Sequence, residues 1–308
     1  MPSFELSVTD LLLALSRGLF VASALSSFGA TLFGRLVMPP IARRLEANAR
    51  GLIERRYRAI VYWSLVAACL VGLAWLVLEA HVMAETHGLG ETLSALPTVL
   101  FDTRFGQILA LQALALAGAS AAVAINRRPS VLAACVAGLA TLLEAGHSHA
   151  FAMAHGPSAL LLSQSLHLLA AGAWLGGLLP LLMVVRETPL DIAELAARRF
   201  STLGFFAVAI LATTALFQGA VLSGGLQGLT GTAYGAVLLT KAVLFAALVL
   251  LAALNRLRFT PALAGPHGER DRRALLASIT VETAIGLCVV LAASVLSGFE
   301  PGMHASGA

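Results

Sequence analysis

Eight apolar runs, at about 10–33, 59–80, 105–125, 130–149, 158–185, 200–222, 235–255 and 274–297, alternate with clusters of charge along the chain. Each is long enough to cross the roughly 30 Å hydrocarbon core of a bilayer as a helix, which takes about 20 residues. Backbone N–H and C=O groups in hydrocarbon must be satisfied within a helix or a closed barrel, and the alternating polarity of barrel strands is absent. The expected fold class is therefore an all-α integral membrane protein, a polytopic bundle of eight transmembrane helices. Composition agrees, since 58% of the 308 residues are hydrophobic and 12% are charged. No stretch is left for a separate soluble domain, so residues 1–308 are read as a single membrane domain. MPSFELSVTD lacks the basic start of a secretory signal, and Arg17 interrupts the first run. That run is expected to be kept as a span.

Arginine sets the orientation, because basic loops resist translocation. Arg35, Arg43, Arg44, Arg50, Arg55, Arg56 and Arg58 follow the first run, and Arg127 and Arg128 follow the third. Arg186, Arg198 and Arg199 follow the fifth; Arg256, Arg258, Arg270, Arg272 and Arg273 follow the seventh. In an eight-span bundle all of these share one side, the cytoplasmic one. The opposite loops carry Arg104 among Glu79, Glu85, Glu91 and Asp102. Both termini are thus expected in the periplasm of a bacterium. The pI of about 9.4 comes from the cytoplasmic arginine. With no aromatic-interleaved basic patch beside it, the expected surroundings are the lipid bilayer and not nucleic acid.

On this topology the histidines gather on the outer side. His81 and His87 lie in HVMAETH after the second run, His147, His149 and His155 in EAGHSHAFAMAH after the fourth, and His304 in the tail. His167 falls within the fifth run, and His267 alone is cytoplasmic. Imidazole suits copper, zinc, iron and nickel, while the nearby thioethers of Met83, Met153 and Met303 shift the preference toward Cu(I). Histidine is also at home at a membrane interface, so EAGHSHAFAMAH reads either as a metal site or as the polar end of a helix. Glu144 precedes His147 by three and shares its face. It would ligate an ion, orient the imidazole or hydrogen-bond another helix. Cys69, Cys135 and Cys288 lie in separate runs without CxxC spacing, and read as small packing residues.

A charged side chain in hydrocarbon costs roughly 3 kcal/mol or more on insertion scales, which singles out Arg17, Glu144, Lys241 and Glu282. One reading is an ion pair of Glu144 with Lys241 or Arg17 that knits the outer half of the bundle. The other is a polar path lined by Glu144, His167, Gln164 and Lys241, lowering the barrier to a cation or proton. His167 lies in QSLHLLAAGAWLGGLLPLL, where a buried imidazole needs a hydrogen-bond or metal partner. The small residues Ala170 to Ala173, Gly176 and Gly177 admit a neighbouring backbone, placing His167 and Trp174 at a tight helix junction. Pro180 is expected to kink that span. Gln107, Gln112 and Gln218 read as helix-to-helix hydrogen bonds.

SLHLLAAGAWLGGLLPLL, then TKAVLFAALVLLAALNRLRFTPAL and SITVETAIGLCVVLAASVLSG, with TRFGQILALQ at 103–112 and GHSHA at 146–150, resemble the copper resistance D family (CopD, PcoD) of bacterial inner-membrane proteins. The resemblance runs through all eight spans and is most specific over about 158–298. It implies copper homeostasis: copper ions moved inward across the inner membrane after handover from a small periplasmic carrier of the CopC type, here a separate chain. The candidate metal ligands are His147, His149, His155, His167, Met153, His81 and His87. Glu144, Lys241, Gln164, Trp174, Glu282 and Arg17 are candidates for the path or for supporting it.

No P-loop or phosphorylatable DKTG is present, so the membrane potential is the expected drive, about 2.3 kcal/mol per charge per 100 mV. No nucleophile, base and orienting group can be assembled, and no enzyme is expected. Two alternatives stand beside transport. One is a protein binding haem b, or working on copper by redox chemistry, with His167 and His147 as axial ligands. The other is a membrane receptor for the periplasmic carrier that moves no copper.

Overall fold

The computed structural model describes residues 7–126, 130–147, 158–222 and 233–296, and among them every regular element is helical. Helix α1 runs over Val8–Leu36, α2 over Met38–Arg44 and α3 over Ala47–Met83. They are followed by α4 (Leu89–Asp102), α5 (Arg104–Asn126) and α6 (Val131–Leu143), which continues as a 3-10 turn, Glu144–His147. Next come α7 (Ser158–Leu175), α8 (Leu178–Glu187) and α9 (Leu190–Leu222). The last stretch holds α10 (Ala233–Leu254), a π-helical turn (Asn255–Phe259), the short α11 (Thr260–Ala262) and α12 (Gly268–Leu296).

Seven stretches among the described residues are long and apolar enough to cross a membrane: Val8–Leu36, Ala47–Met83, Arg104–Ile125, Ala159–Glu187, Leu190–Leu222, Gly235–Ala262 and Gly268–Leu296. The expected span at 130–149 corresponds to the shorter apolar segment Val131–His147, 13 residues of α-helix and a 3-10 turn of 4. Several helices outrun the apolar runs on the arginine-rich side, α3 beginning at Ala47, α9 at Leu190 and α12 at Gly268. Their extensions are rich in Ala, Leu, Glu and Arg, strong helix formers that need no hydrocarbon around them. Helix α4 lies where the sequence reading placed only loop. At 14 residues it is too short to span, and it packs beside α3 and α5 with Thr92 and Val99 buried.

Arginine side chains tie the helix ends together on that side. Arg199 donates to Leu36 O at the end of α1 (2.8 Å), and Arg272 donates to Thr188 O just past α8 (3.2 Å). Carbonyls at helix C-termini have no partner within their own helix, and a guanidinium supplies one. Arg56 and Glu187 form an ion pair between α3 and α8.

Helix α1 is the hub, in contact with α3, α6, α7 and α12. Its crossing with α7 brings backbone against backbone. A Cβ on Gly29 would strike Gly172 O and the backbone of Gly176, and one on Gly176 would strike Leu25 O. Gly172 and Gly176 are spaced GxxxG, the pattern that lets two helix backbones touch. Just beyond the contact α7 stops. Pro180 has no N–H to bond the carbonyl four residues back, and Gly177 N–H turns to Trp174 O instead (3.1 Å). The expected kink is a local turn at Gly176–Gly177, about one turn before the proline, within the single apolar stretch Ala159–Glu187. Helix α10 packs mainly on α12 and is the most peripheral span, exposing Val243 and Leu250.

Candidate functional site

Four elements meet near the start of the EAGHSH segment: α1, α3, α5 and the 3-10 turn after α6. Glu144, 5% exposed, sits at their centre. Its Oε1 accepts from Arg17 Nε (3.3 Å) and Nη2 (3.2 Å), and its Oε2 accepts from Gln112 Nε2 (3.2 Å). Of the two partners the sequence allowed Glu144, Arg17 holds it and Lys241 does not. Gln112 is fully buried and also donates to Ala140 O (3.3 Å). Those two contacts fix which end of the amide is nitrogen, because turning it over would set its oxygen against a carboxylate and a carbonyl.

The fixed amide in turn fixes a histidine. Gln112 Oε1 faces His147 Nε2 at 3.1 Å, so Nε2 carries the hydrogen and donates. In the neutral ring the lone pair is then on Nδ1, the one nitrogen left to ligate a metal. The imidazole is boxed by Trp75 and Phe105, with ring centroids 5.0 and 5.3 Å away. Trp75 donates from Nε1 to Glu79 (3.1 Å), and Arg17 lies over its ring at 5.9 Å. Arg17, Glu144, Gln112 and His147 thus form one chain of contacts in which the carboxylate acts on the imidazole through the amide. Arg17 also donates to His147 O (3.4 Å), and Arg104 donates to Gly146 O (3.4 Å), pinning the backbone just before residue 148. His149, Met153 and His155 lie outside the described residues. Among those described, no three His, Cys, Asp or Glu side chains come together as a metal site.

His167 belongs to a second cluster. Its Nδ1 is 2.8 Å from Thr214 Oγ1 on α9. Thr214 directs its own hydrogen to Ile210 O (2.7 Å), so the ring donates from Nδ1 and keeps its lone pair on Nε2. Lys241 of α10 makes no ion pair among the described residues. Gln218 donates to Ser163 Oγ (3.2 Å), one turn away on α7, in the helix-to-helix role expected of it. Gln164, half-buried, makes no hydrogen bond with another described side chain.

A third cluster sits further along α7. Trp174 Nε1 donates to Glu282 Oε1 (2.8 Å), and Asn255 Nδ2 donates to Glu282 Oε2 (2.9 Å). Glu144, His167 and Glu282 therefore belong to three separate polar clusters, with no hydrogen bond joining one to another among the described residues.

His81 and His87 stand apart at the α3–α4 connection, both exposed. His81 Nδ1 contacts Thr86 Oγ1 at 3.0 Å, and His87 N–H bonds Glu91. Cys69, Cys135 and Cys288 are free and face outward from the bundle, so they line no internal path. Sequence reasoning missed Trp75, Phe105, Glu79 and Thr214. The pair Trp75 and Glu79, one helical turn apart, is the one local signal among them.

These features define a polytopic helical membrane protein with polar clusters buried at different depths of the bundle. Residues 8–160 match the family described as Copper resistance protein D-like, N-terminal domain, and residues 194–296 match Copper resistance protein D. The chain is 30% identical over 296 residues to the inner membrane protein YebZ of Escherichia coli, covering 92% of this chain and 97% of YebZ. It is 29% identical over 303 residues to Copper resistance protein D of Pseudomonas syringae pv. tomato, covering 90% and 93%. Over 141 residues, 44% of this chain and 25% of the other, it is 28% identical to the copper transport protein CutJ of Bacillus subtilis. No solved structure matches. The chain belongs to the copper resistance protein D family, and it is a multi-pass inner-membrane protein.

Proposed function

We propose that this chain takes up copper ions at a periplasmic face carrying His81, His87, His147, His149, Met153 and His155, and moves them across the inner membrane toward the cytoplasm. The observation that carries this reading is the held imidazole of His147. Gln112 fixes its tautomer and two aromatic rings fix its plane, while Arg17 neutralises the carboxylate behind it. The Nδ1 lone pair is thereby left as the ring atom that can ligate a metal ion. A hydrogen bond on the far nitrogen is the usual way a protein orients a metal-binding histidine. The names of two relatives, a copper resistance protein and a copper transport protein, support the same cargo.

In this reading the ion moves on from the outer face toward His167, where Nε2 offers the next imidazole nitrogen. The donor is a separate periplasmic copper carrier of the CopC type. The protein does no bond-making chemistry, and the membrane potential draws the cation inward.

Copper uptake into vesicles reconstituted with the protein tests this directly. His167→Ala and Glu144→Ala are expected to lower the initial rate by about tenfold, the usual scale for losing a ligand's support, and His304→Ala much less. Equal effects of all three, or uptake no faster than in empty vesicles with and without the carrier, would refute the route. A Soret band on the purified protein would instead favour haem.

A further inference from the structure

Glu282 is 2% exposed on α12, and both hydrogen bonds to its carboxylate come from neutral donors, the Trp174 indole and the Asn255 amide. Among the described residues no lysine, arginine or histidine pairs with it. Its carboxyl group therefore has no cationic partner among the described residues, unlike that of Glu144, which has Arg17.

Two further polar atoms, one on the π-helical turn and one on α12, lack a hydrogen-bond partner among the described residues. Asn255, 8% exposed, spends its amide nitrogen on Glu282, and its buried Oδ1 has no hydrogen-bond partner among the described residues. Ser278, 7% exposed and one helical turn before Glu282 on α12, has a buried Oγ that is also without a partner among the described residues. An isolated buried acceptor is costly, and several beside a carboxylate call for positive charge. A single carboxylate balances a single positive charge.

The backbone is irregular at the same place. Helix α7 gives way to a turn at Gly176–Gly177, two residues past Trp174, and the π-helical turn begins at Asn255. π turns inside α-helices concentrate at functional sites. Interrupted helices in membrane proteins place free carbonyls and polar side chains around ions at membrane depth.

We propose that Glu282, Asn255 and Ser278 form a binding site for an alkali-metal cation. The donors are all hard oxygens: the carboxylate, the Asn255 amide oxygen and the Ser278 hydroxyl. They suit sodium or potassium and not Cu(I), which takes sulfur and imidazole. The ion sits between α7, the π turn and α12, so its binding and release bear on the angle between the two halves of the α7–α8 span. The site stands on its own geometry and holds whether or not the chain carries copper.

The test uses the full-length protein in copper-free detergent, with sodium or potassium chloride titrated against choline chloride at constant ionic strength and pH. Tryptophan fluorescence and the melting temperature are read together, Trp174 being the reporter that touches Glu282. A saturable fluorescence change and a rise in Tm with one of the two cations are expected, because a ligand of the native state stabilises it. Glu282→Gln keeps the shape and should abolish both responses. Trp174→Phe should lose the fluorescence change and keep the Tm rise. If Glu282→Gln does not fold, Ser278→Ala should weaken the apparent affinity on the order of tenfold. No saturable response to either cation, a response to pH alone, an undiminished response in Glu282→Gln, or an unchanged affinity in Ser278→Ala would overturn the proposal.

Discussion

Glu144 is tolerated inside the bundle because each of its oxygens is occupied, one by Arg17 and one by Gln112. Removing one member of a buried ion pair leaves the other charge uncompensated, at a cost of about 3 kcal/mol or more. Arg17→Ala is therefore expected to destabilise the protein by about that amount, and Arg17→Met with Glu144→Met to recover most of it, as read from thermal unfolding in detergent. An equal loss in single and double variants would mean that Arg17 acts by packing against Trp75 and not by charge. The residues of this cluster were partly legible in the sequence. Glu144 and His147 are three apart, and a carboxylate among apolar residues announces itself. What linear spacing does not contain is the link between them: Gln112 is 32 residues from Glu144 and 35 from His147. Likewise nothing local ties Trp174 to Glu282, 108 residues on. Such pairs are set by which helices pack together, and a hydropathy pattern says where helices are without saying which are neighbours.

Among the elements, the α1–α7 crossing constrains the molecule most, because it is backbone against backbone. Gly176→Ala would place a methyl group onto the Leu25 carbonyl, which cannot yield by a rotamer change. Overpacking of this kind costs typically 1–3 kcal/mol. A lowered Tm is expected, together with weakened function, since the crossing sets the position of His167 and Trp174 on the same helix. Gly219, with open space around its Cβ position, is the control: Gly219→Ala should be neutral or stabilising by up to about 1 kcal/mol. A Gly176→Ala protein as stable as the parent would mean the two helices move apart freely, and the close contact would then carry no specificity. Small residues between Ala170 and Gly177 made a close approach legible beforehand, but not that α1 is the partner. The helical extensions and α4 were illegible for a different reason. Hydropathy detects a bilayer-length run, whereas a helix that leaves the hydrocarbon or never enters it carries no such mark.

At the scale of the whole molecule, the arginine side is also the side on which helix ends are tied to one another. Arg199, Arg272 and Arg56 each reach a different helix from their own. These contacts tie α1 to α9, and α3 and α12 to the C-terminal end of α8, and a guanidinium layer of this kind is held back from translocation. The orientation we infer is therefore cytoplasmic for this layer and periplasmic for the His147 cluster and both termini. Periplasm-active reporter fusions test it: a phosphatase joined after residue 303 should be active, and fusions after residues 46 and 266 should be silent. A fluorescent protein that matures only in the cytoplasm should give the reverse pattern at the same positions. Activity after residue 46 would invert the bundle, put the His147 cluster in the cytoplasm and turn the proposed uptake path into an export path. Activity after 46 and silence after 266 would mean that an odd number of crossings separates them, and the short segment Val131–His147 would be the first candidate to lose its place as a span.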